Sequence, residues 1–231
     1  MIVFERVSKR YPNGREALSG ISFHVDPGEM VFLTGRSGAG KSSVLKLLAL
    51  LERPTRGTVL VGGQNLGILP TGRIPAYRRT LGVVFQEHRL LADRPVFDNV
   101  ALPLIVAGAS YRDTGKRVRA ALDQVGLLDK ERMLPNELSV GEQQRVGIAR
   151  AVVGRPAVLI ADEPTGNLDP DLALEVMHLF KRFQDAGVTV VVATHDLHVV
   201  HDFKQRNIVL ASGTVASGGE PPPLPSMVAS R

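Results

Sequence analysis

Cysteine and tryptophan are absent from the 231 residues, and only three tyrosines and eight phenylalanines are present. Without cysteine there is no disulfide, no thiolate zinc site and no thiol nucleophile, and a reducing cytoplasm is compatible. No aromatic interleaving supports the stacking that holds single-stranded nucleic acid. Long apolar runs are missing too. The strongest candidates, residues 44–51 and 101–107, are far shorter than the ~18 residues of a membrane helix. The opening residues 1–7 lack a basic start followed by an apolar core, so they do not read as a signal peptide. Any membrane role is therefore expected to come through a partner. No internal repeat is found.

What remains is an ordinary globular composition, 44% hydrophobic and 22% charged, of a size that suits one α/β domain with room for an inserted subdomain. Formal net charge is +5, and basic residues are frequent between Arg73 and Arg119, among them Arg78, Arg79, Arg89, Arg94, Arg112, Lys116 and Arg117. These read either as a solvated basic surface or as a face turned toward an anionic membrane or an acidic partner.

The most informative stretch is Gly35-Arg36-Ser37-Gly38-Ala39-Gly40-Lys41-Ser42, followed by Ser43. It fits G-x-x-x-x-G-K-[ST], and it sits between an apolar run (residues 30–34) that reads as a buried strand and a run (43–51) that reads as a helix. Strand, glycine loop and helix make a cradle in which backbone N–H groups and the helix dipole face phosphate. Lys41 is expected to reach the β- and γ-phosphates, and the Ser42 hydroxyl to hold Mg²⁺.

Residues 3–7 and 21–25 read as strands of an antiparallel layer, with a turn at residues 26–29. Residues 57–61 read as a further strand ended by Gly62 and Gly63. Residues 73–79 read as a short helix and 81–85 as a buried strand. Residues 96–107, 111–125 and 140–154 read as helices, and Pro103 is expected to kink or interrupt the first. Residues 158–161 and 188–193 are continuous apolar runs of the kind parallel sheets bury on both faces, with a crossing helix at 171–186. Residues 208–210 and 214–216 close the domain, and the proline-rich residues 218–231 are expected to be disordered.

Two further segments carry chemistry. The run at 158–161 ends in Asp162 and Glu163, at the strand end where open α/β sheets bind ligands. Asp162 is placed to hold Mg²⁺ through water, and Glu163 to act on the attacking water as general base. Ser139 and Glu142 form an S-x-x-E capping box at the start of the third long helix. With Gly141 between them, that helix start is also a second anion site.

Residues 138–144 are close to L-S-G-G-Q/E, and the order of motifs along nearly the whole chain resembles that of the ATP-binding-cassette (ABC) ATPases. The motifs are Tyr11, the phosphate loop, Gln86, residues 138–144, residues 158–163, Asn167-Leu168-Asp169 and His195. The resemblance implies an α/β fold, a RecA-like P-loop core (residues 1–86 and 156–217) with an antiparallel β layer and an inserted helical subdomain at about 87–155. It implies ATP and Mg²⁺, and two copies with ATP sandwiched between them. Tyr11 would stack on adenine, Gln86 would contact Mg²⁺ and water, and Ser139, Gly141 and Glu142 would face the ATP of the other copy. Asp169 would join the dimer contact near Glu163, and His195 would steady the γ-phosphate. Val140 departs from the pattern, which has glycine there; a β-branched side chain narrows the approach to phosphate.

Residues 1–12, 36–42, 90–94, 98–104 and 141–153 are similar to cell-division members of that family. This implies an ATPase at the cytoplasmic face of a bacterial inner membrane, at the septum. It would be held there by a transmembrane partner that regulates cell-wall hydrolases. The ATPase of a lipoprotein-release or efflux transporter stays open as an alternative. A GTPase is disfavoured because no N-K-x-D-type guanine reader is present. The three histidines His195, His198 and His201 do not share a tight helical face at ~100° per residue, so a zinc site is not expected.

Overall fold

The apolar runs expected as buried strands assemble into a six-stranded sheet in the order β10-β9-β3-β8-β7-β6. The computed structural model describes residues 1–166 and 168–219. The central strands are β3 (Met30–Thr34), β6 (Leu81–Val84), β7 (Val158–Asp162), β8 (Thr189–Ala193) and β9 (Arg206–Ala211), all parallel to one another, with β10 (Thr214–Ser217) antiparallel at one edge. A second, antiparallel sheet holds β1 (Ile2–Arg10), β2 (Glu16–Val25), β4 (Arg56–Val61) and β5 (Gln64–Asn65) in the order β2-β1-β4-β5.

The continuous apolar runs are explained by burial on both faces. In β3, Val31 and Leu33 join one hydrophobic cluster while Met30 and Phe32 join another. In β8 the same split separates Val191 and Ala193 from Val190 and Val192. This is the two-residue period of a strand, with neither face left to water. The first cluster lies between the two sheets and takes in Val44, Leu45, Leu47 and Leu48 of α1 (Lys41–Leu48). The second takes in the buried sides of α3 (Val96–Val106), α4 (Tyr111–Gln124), α5 (Val140–Val152) and α6 (Pro170–Asp185). A short α2 (Ile74–Arg78) precedes β6, and α7 (Leu197–Phe203) follows β8.

One expectation narrows. Of the kink or interruption expected at Pro103, the interruption does not occur: α3 runs from Val96 to Val106 with the proline inside it. The residue costs the bond its missing N–H would give to Asn99, but burial of Val100, Ala101 and Leu104 around it keeps the last turn in place. His195 follows the end of β8 and does not enter α7. Asp196 caps α7 by accepting from the N–H groups of His198 and Val199, so His195 lies before the helix. Among the described residues no three or more His, Cys, Asp or Glu side chains gather as a metal site, and no helix is long and apolar enough to cross a membrane. Asn167 and residues 220–231, which include most of the proline-rich end, lie outside the described residues.

Candidate functional site: a phosphate cleft at the carboxyl edge of the parallel sheet

Strand register brings the predicted residues together. Leu33 of β3 pairs with Ala193 of β8, and Asp162 of β7 pairs with the same Ala193. The segments that follow these strands therefore leave the sheet at one edge: the glycine loop after β3, Glu163 after β7, and His195 after β8. Gln86 leaves the same edge after β6, whose Val84 pairs with Ala161. Together with Tyr11 they line one cleft of about 810 Å³.

The loop geometry requires glycine at two positions. Gly35 has φ +141°, and a Cβ there would lie 2.3 Å from the Leu210 carbonyl oxygen. Gly40 caps α1 with φ +114°, and a Cβ there would lie 2.7 Å from Leu18 and 2.9 Å from the Ala17 oxygen. An L side chain would clash at either place, so glycine is what lets the chain turn this tightly before α1.

Lys41 Nζ donates to the Gly35 oxygen at 2.7 Å and lies 3.6 Å from Glu163 Oε1. The other Glu163 oxygen, Oε2, lies 2.8 Å from His195 Nδ1 and accepts from the His195 backbone N–H at 3.2 Å. The lysine and glutamate side chains are only 9% and 13% exposed, whereas that of His195 is 69% exposed. The carboxylate is thus held from two sides while the imidazole stays open to what enters. Glu163 sits at φ +47°. Such a backbone costs a non-glycine residue about 1–3 kcal/mol and persists only where its surroundings hold it. The Glu163 N–H donates to the Ala193 oxygen at 2.9 Å, and its carbonyl accepts from Gly166 at 3.2 Å.

Asp162 and Ser42 are the candidate metal ligands, with Ser42 Oγ 3.5 Å from Asp162 Oδ1. Burial pushes the Asp162 carboxyl above the usual carboxylate range and the neighbouring Glu163 charge adds to this, while the Ser42 hydroxyl and the Lys41 charge oppose it. A partly buried carboxylate beside a hydroxyl is a hard oxygen donor pair whose charge a dication relieves, and Gln86 adds an amide to the same cleft. The residues present therefore fit Mg²⁺. At the far end, the Tyr11 hydroxyl lies 3.2 Å from Ser43 Oγ, and Lys9 Nζ lies 5.0 Å from the tyrosine ring centre. One face of the ring is backed by a cation, which leaves the other for a flat ligand.

The remaining predicted residues lie off this cleft. Ser139 caps α5, accepting from the Glu142 N–H at 3.3 Å, and Glu142 Oε2 accepts from the Ser139 N–H at 2.9 Å. The Glu142 carboxylate is also held by Lys130. Val140 is 50% exposed, and Gly141 packs against Leu172. Asp169 caps α6 by accepting from the Leu172 N–H at 3.0 Å. Arg15 and Lys46 also line the cleft and were not expected there. Lys46 stands four residues after Ser42 on α1, a spacing that could have revealed it. Arg15 follows a hairpin turn, and nothing local marks it.

The sequence profile of the ABC transporters matches residues 18–166. The cell division ATP-binding protein FtsE of Escherichia coli is 55% identical over 218 residues, which are 94% of this chain and 98% of that protein. The dimeric structure of MJ0796, a bacterial ABC transporter cassette, superposes with a TM-score of 0.86 at 35% identity, covering 94% of this chain and 97% of that one. A dimeric post-hydrolysis state of the same cassette, bound to ADP and Pi, superposes with a TM-score of 0.85 at 34% identity, with the same coverage.

Proposed function

This chain belongs to the ABC transporter ATPase family, and from that premise we propose that it is the ATP-hydrolysing subunit of a bacterial cell-division complex of the FtsE–FtsX kind. Two copies close on two ATP. An FtsX-like transmembrane protein holds them at the cytoplasmic face of the inner membrane, at the septum, and passes the cycle on to cell-wall hydrolysis. The observation that carries the chemistry is the Glu163 carboxylate, gripped between His195 and Lys41 beside the glycine loop. The similarity to FtsE over nearly all of both chains supports the pathway.

In this reading Lys41 and the loop N–H groups bind the phosphates, and Tyr11 stacks on adenine. Glu163 orients the attacking water and takes its proton, while His195 holds the Glu163 carboxylate in place. Ser42, Asp162 and Gln86 would hold Mg²⁺, which would supply charge neutralisation at the phosphates. Ser139, Gly141 and Glu142 of one copy face the ATP of the other, and Asp169 lies at the contact between copies. The membrane partner docks along residues 86–99, beside an apolar groove of about 560 Å³ that Leu102 and Val106 of α3 share with Arg78 and Arg79. Leu91 and Val106, 41% and 65% exposed, offer apolar surface to it.

Two measurements test the proposal. Glu163→Gln should bind ATP normally while turnover falls about 100-fold or more; undiminished turnover would remove Glu163 as the base. A pull-down from bacterial membranes with Glu163→Gln and ATP should recover an FtsX-like protein. Recovery of a lipoprotein-release or efflux permease instead would keep the chemistry and overturn the pathway.

A further inference from the structure

Gln144 lies on α5, outside the nucleotide cleft, and is 2% exposed. It falls on the inner face of the helix with Gly141 and Ile148, at a spacing of three and four residues. Its amide is used at both ends. Nε2 donates to the Pro164 carbonyl oxygen at 2.7 Å, and Oε1 lies 2.6 Å from Nδ1 of His88. The Pro164 oxygen only accepts, so the amide end facing it is the amino group. Oε1 is then an acceptor, and His88 Nδ1 carries a proton. One planar group thus joins residue 88, in the stretch between β6 and α3, to residue 164, directly after Glu163.

Each end is significant. At Pro164 the amide steadies the turn in which Glu163 holds its positive φ. Among the described residues, the Glu163 N–H is held by Ala193 of the neighbouring strand and its carbonyl by Gly166 of the turn itself. The Gln144 bond is the one that arrives from α5. At the other end, residues 88–91 are carried by side chains of α5 and α3. Arg150 donates to the carbonyls of His88 at 2.6 Å and Arg89 at 2.8 Å. Asn99 brackets Leu91, accepting from its N–H at 2.7 Å and donating to its oxygen at 3.0 Å. Residues 88 and 89 are thus tied to α5 and residue 91 to α3. Gln144 makes the side-chain hydrogen bond that runs from α5 into the Glu163 turn.

We propose that Gln144 is a positioning residue for hydrolysis, setting the Glu163 turn relative to the stretch 88–91 and passing displacements of that stretch to the base. This rests on the ATPase reading above and adds a residue that touches neither nucleotide nor partner.

The test is steady-state ATP hydrolysis by the full chain, comparing wild type with Gln144→Met, His88→Leu, His88→Asn and Glu163→Gln. Methionine preserves length and removes both bonds. Gln144→Met should lower kcat about tenfold or more while KM for ATP stays within about twofold. His88→Leu should lose part of the same kcat. His88→Asn should recover it, because an asparagine N–H can stand where Nδ1–H stood. If Gln144→Met does not fold, the two His88 variants decide alone. An unchanged kcat in Gln144→Met or His88→Leu would overturn the inference. So would a kcat loss accompanied by a matching rise in KM, or one that His88→Asn fails to restore. Glu163→Gln serves as the internal control: its loss of turnover upholds the ATPase reading even where the Gln144 inference falls. A wild type without turnover overturns both.

Discussion

Lys41, Glu163 and His195 hold one another inside a single chain, whereas Val140, at the start of α5, turns half of its surface to solvent. Both regions begin a helix that can receive an anion, one behind Gly40 and the other behind Ser139. The first is lined by the loops that leave the strand ends and by Tyr11. The second is finished only as a helix cap, its serine and glutamate satisfying each other. A phosphate cleft at a parallel sheet edge is assembled by folding alone. A helix start on the surface stays half open in the single chain, and MJ0796, a cassette of similar fold, has a dimeric structure.

The contrast can be broken at either region. The largest effect is expected from Lys41→Ala. With Lys41 gone, the cleft loses the ammonium that donates to the Gly35 oxygen, and ATP affinity should fall about 100-fold or more by fluorescent-nucleotide titration. Retained affinity would mean that the cleft is not the nucleotide site. Val140→Gly acts on the other region alone. It should leave single-chain ATP affinity unchanged and raise turnover severalfold by opening the approach to Gly141. Its cost is about 0.5–1 kcal/mol of stability from glycine in the first turn of α5. Equal turnover would show that the valine does not limit closure.

Asp169→Ala removes the α6 cap and should lower stability by about 1 kcal/mol in denaturant unfolding. No loss would mean that the bond to the Leu172 N–H contributes little. The smallest effect concerns pH. Bonds from Lys130 and from the Ser139 N–H hold the Glu142 carboxyl below the usual carboxylate range. A folded value below the unfolded one gives stability that is present above the unfolded value and is lost as pH falls through the folded one. The melting-temperature gap between wild type and Glu142→Gln should therefore be open at neutral pH and close in acid. A gap that persists below the carboxylate range would locate the stabilisation in packing instead.

The glycine loop, the caps at Ser139 and the strand–acid pair at Asp162 and Glu163 were legible because each depends on residues within a few positions. The β3 run was read to its ends because both of its faces are buried and the signal is continuous. Pro103 does not interrupt α3 because its ring offends a single carbonyl late in a helix held by tertiary packing. Gln144 carried a weak signal, a polar residue on an apolar helical face, but its partners His88 and Pro164 are 56 and 20 residues away. Arg15 carried none.

The sequence by itself determined the elements, the anion cradle behind Gly40 and the chemistry available to Glu163, since propensity, capping and motif spacing are short-range. The tertiary structure alone decided that Tyr11, Gln86, Glu163 and His195 share one cleft, that Glu163 holds a positive φ, and that Gln144 ties its turn to the stretch beyond β6. These depend on parallel register and on contacts between residues far apart in the chain.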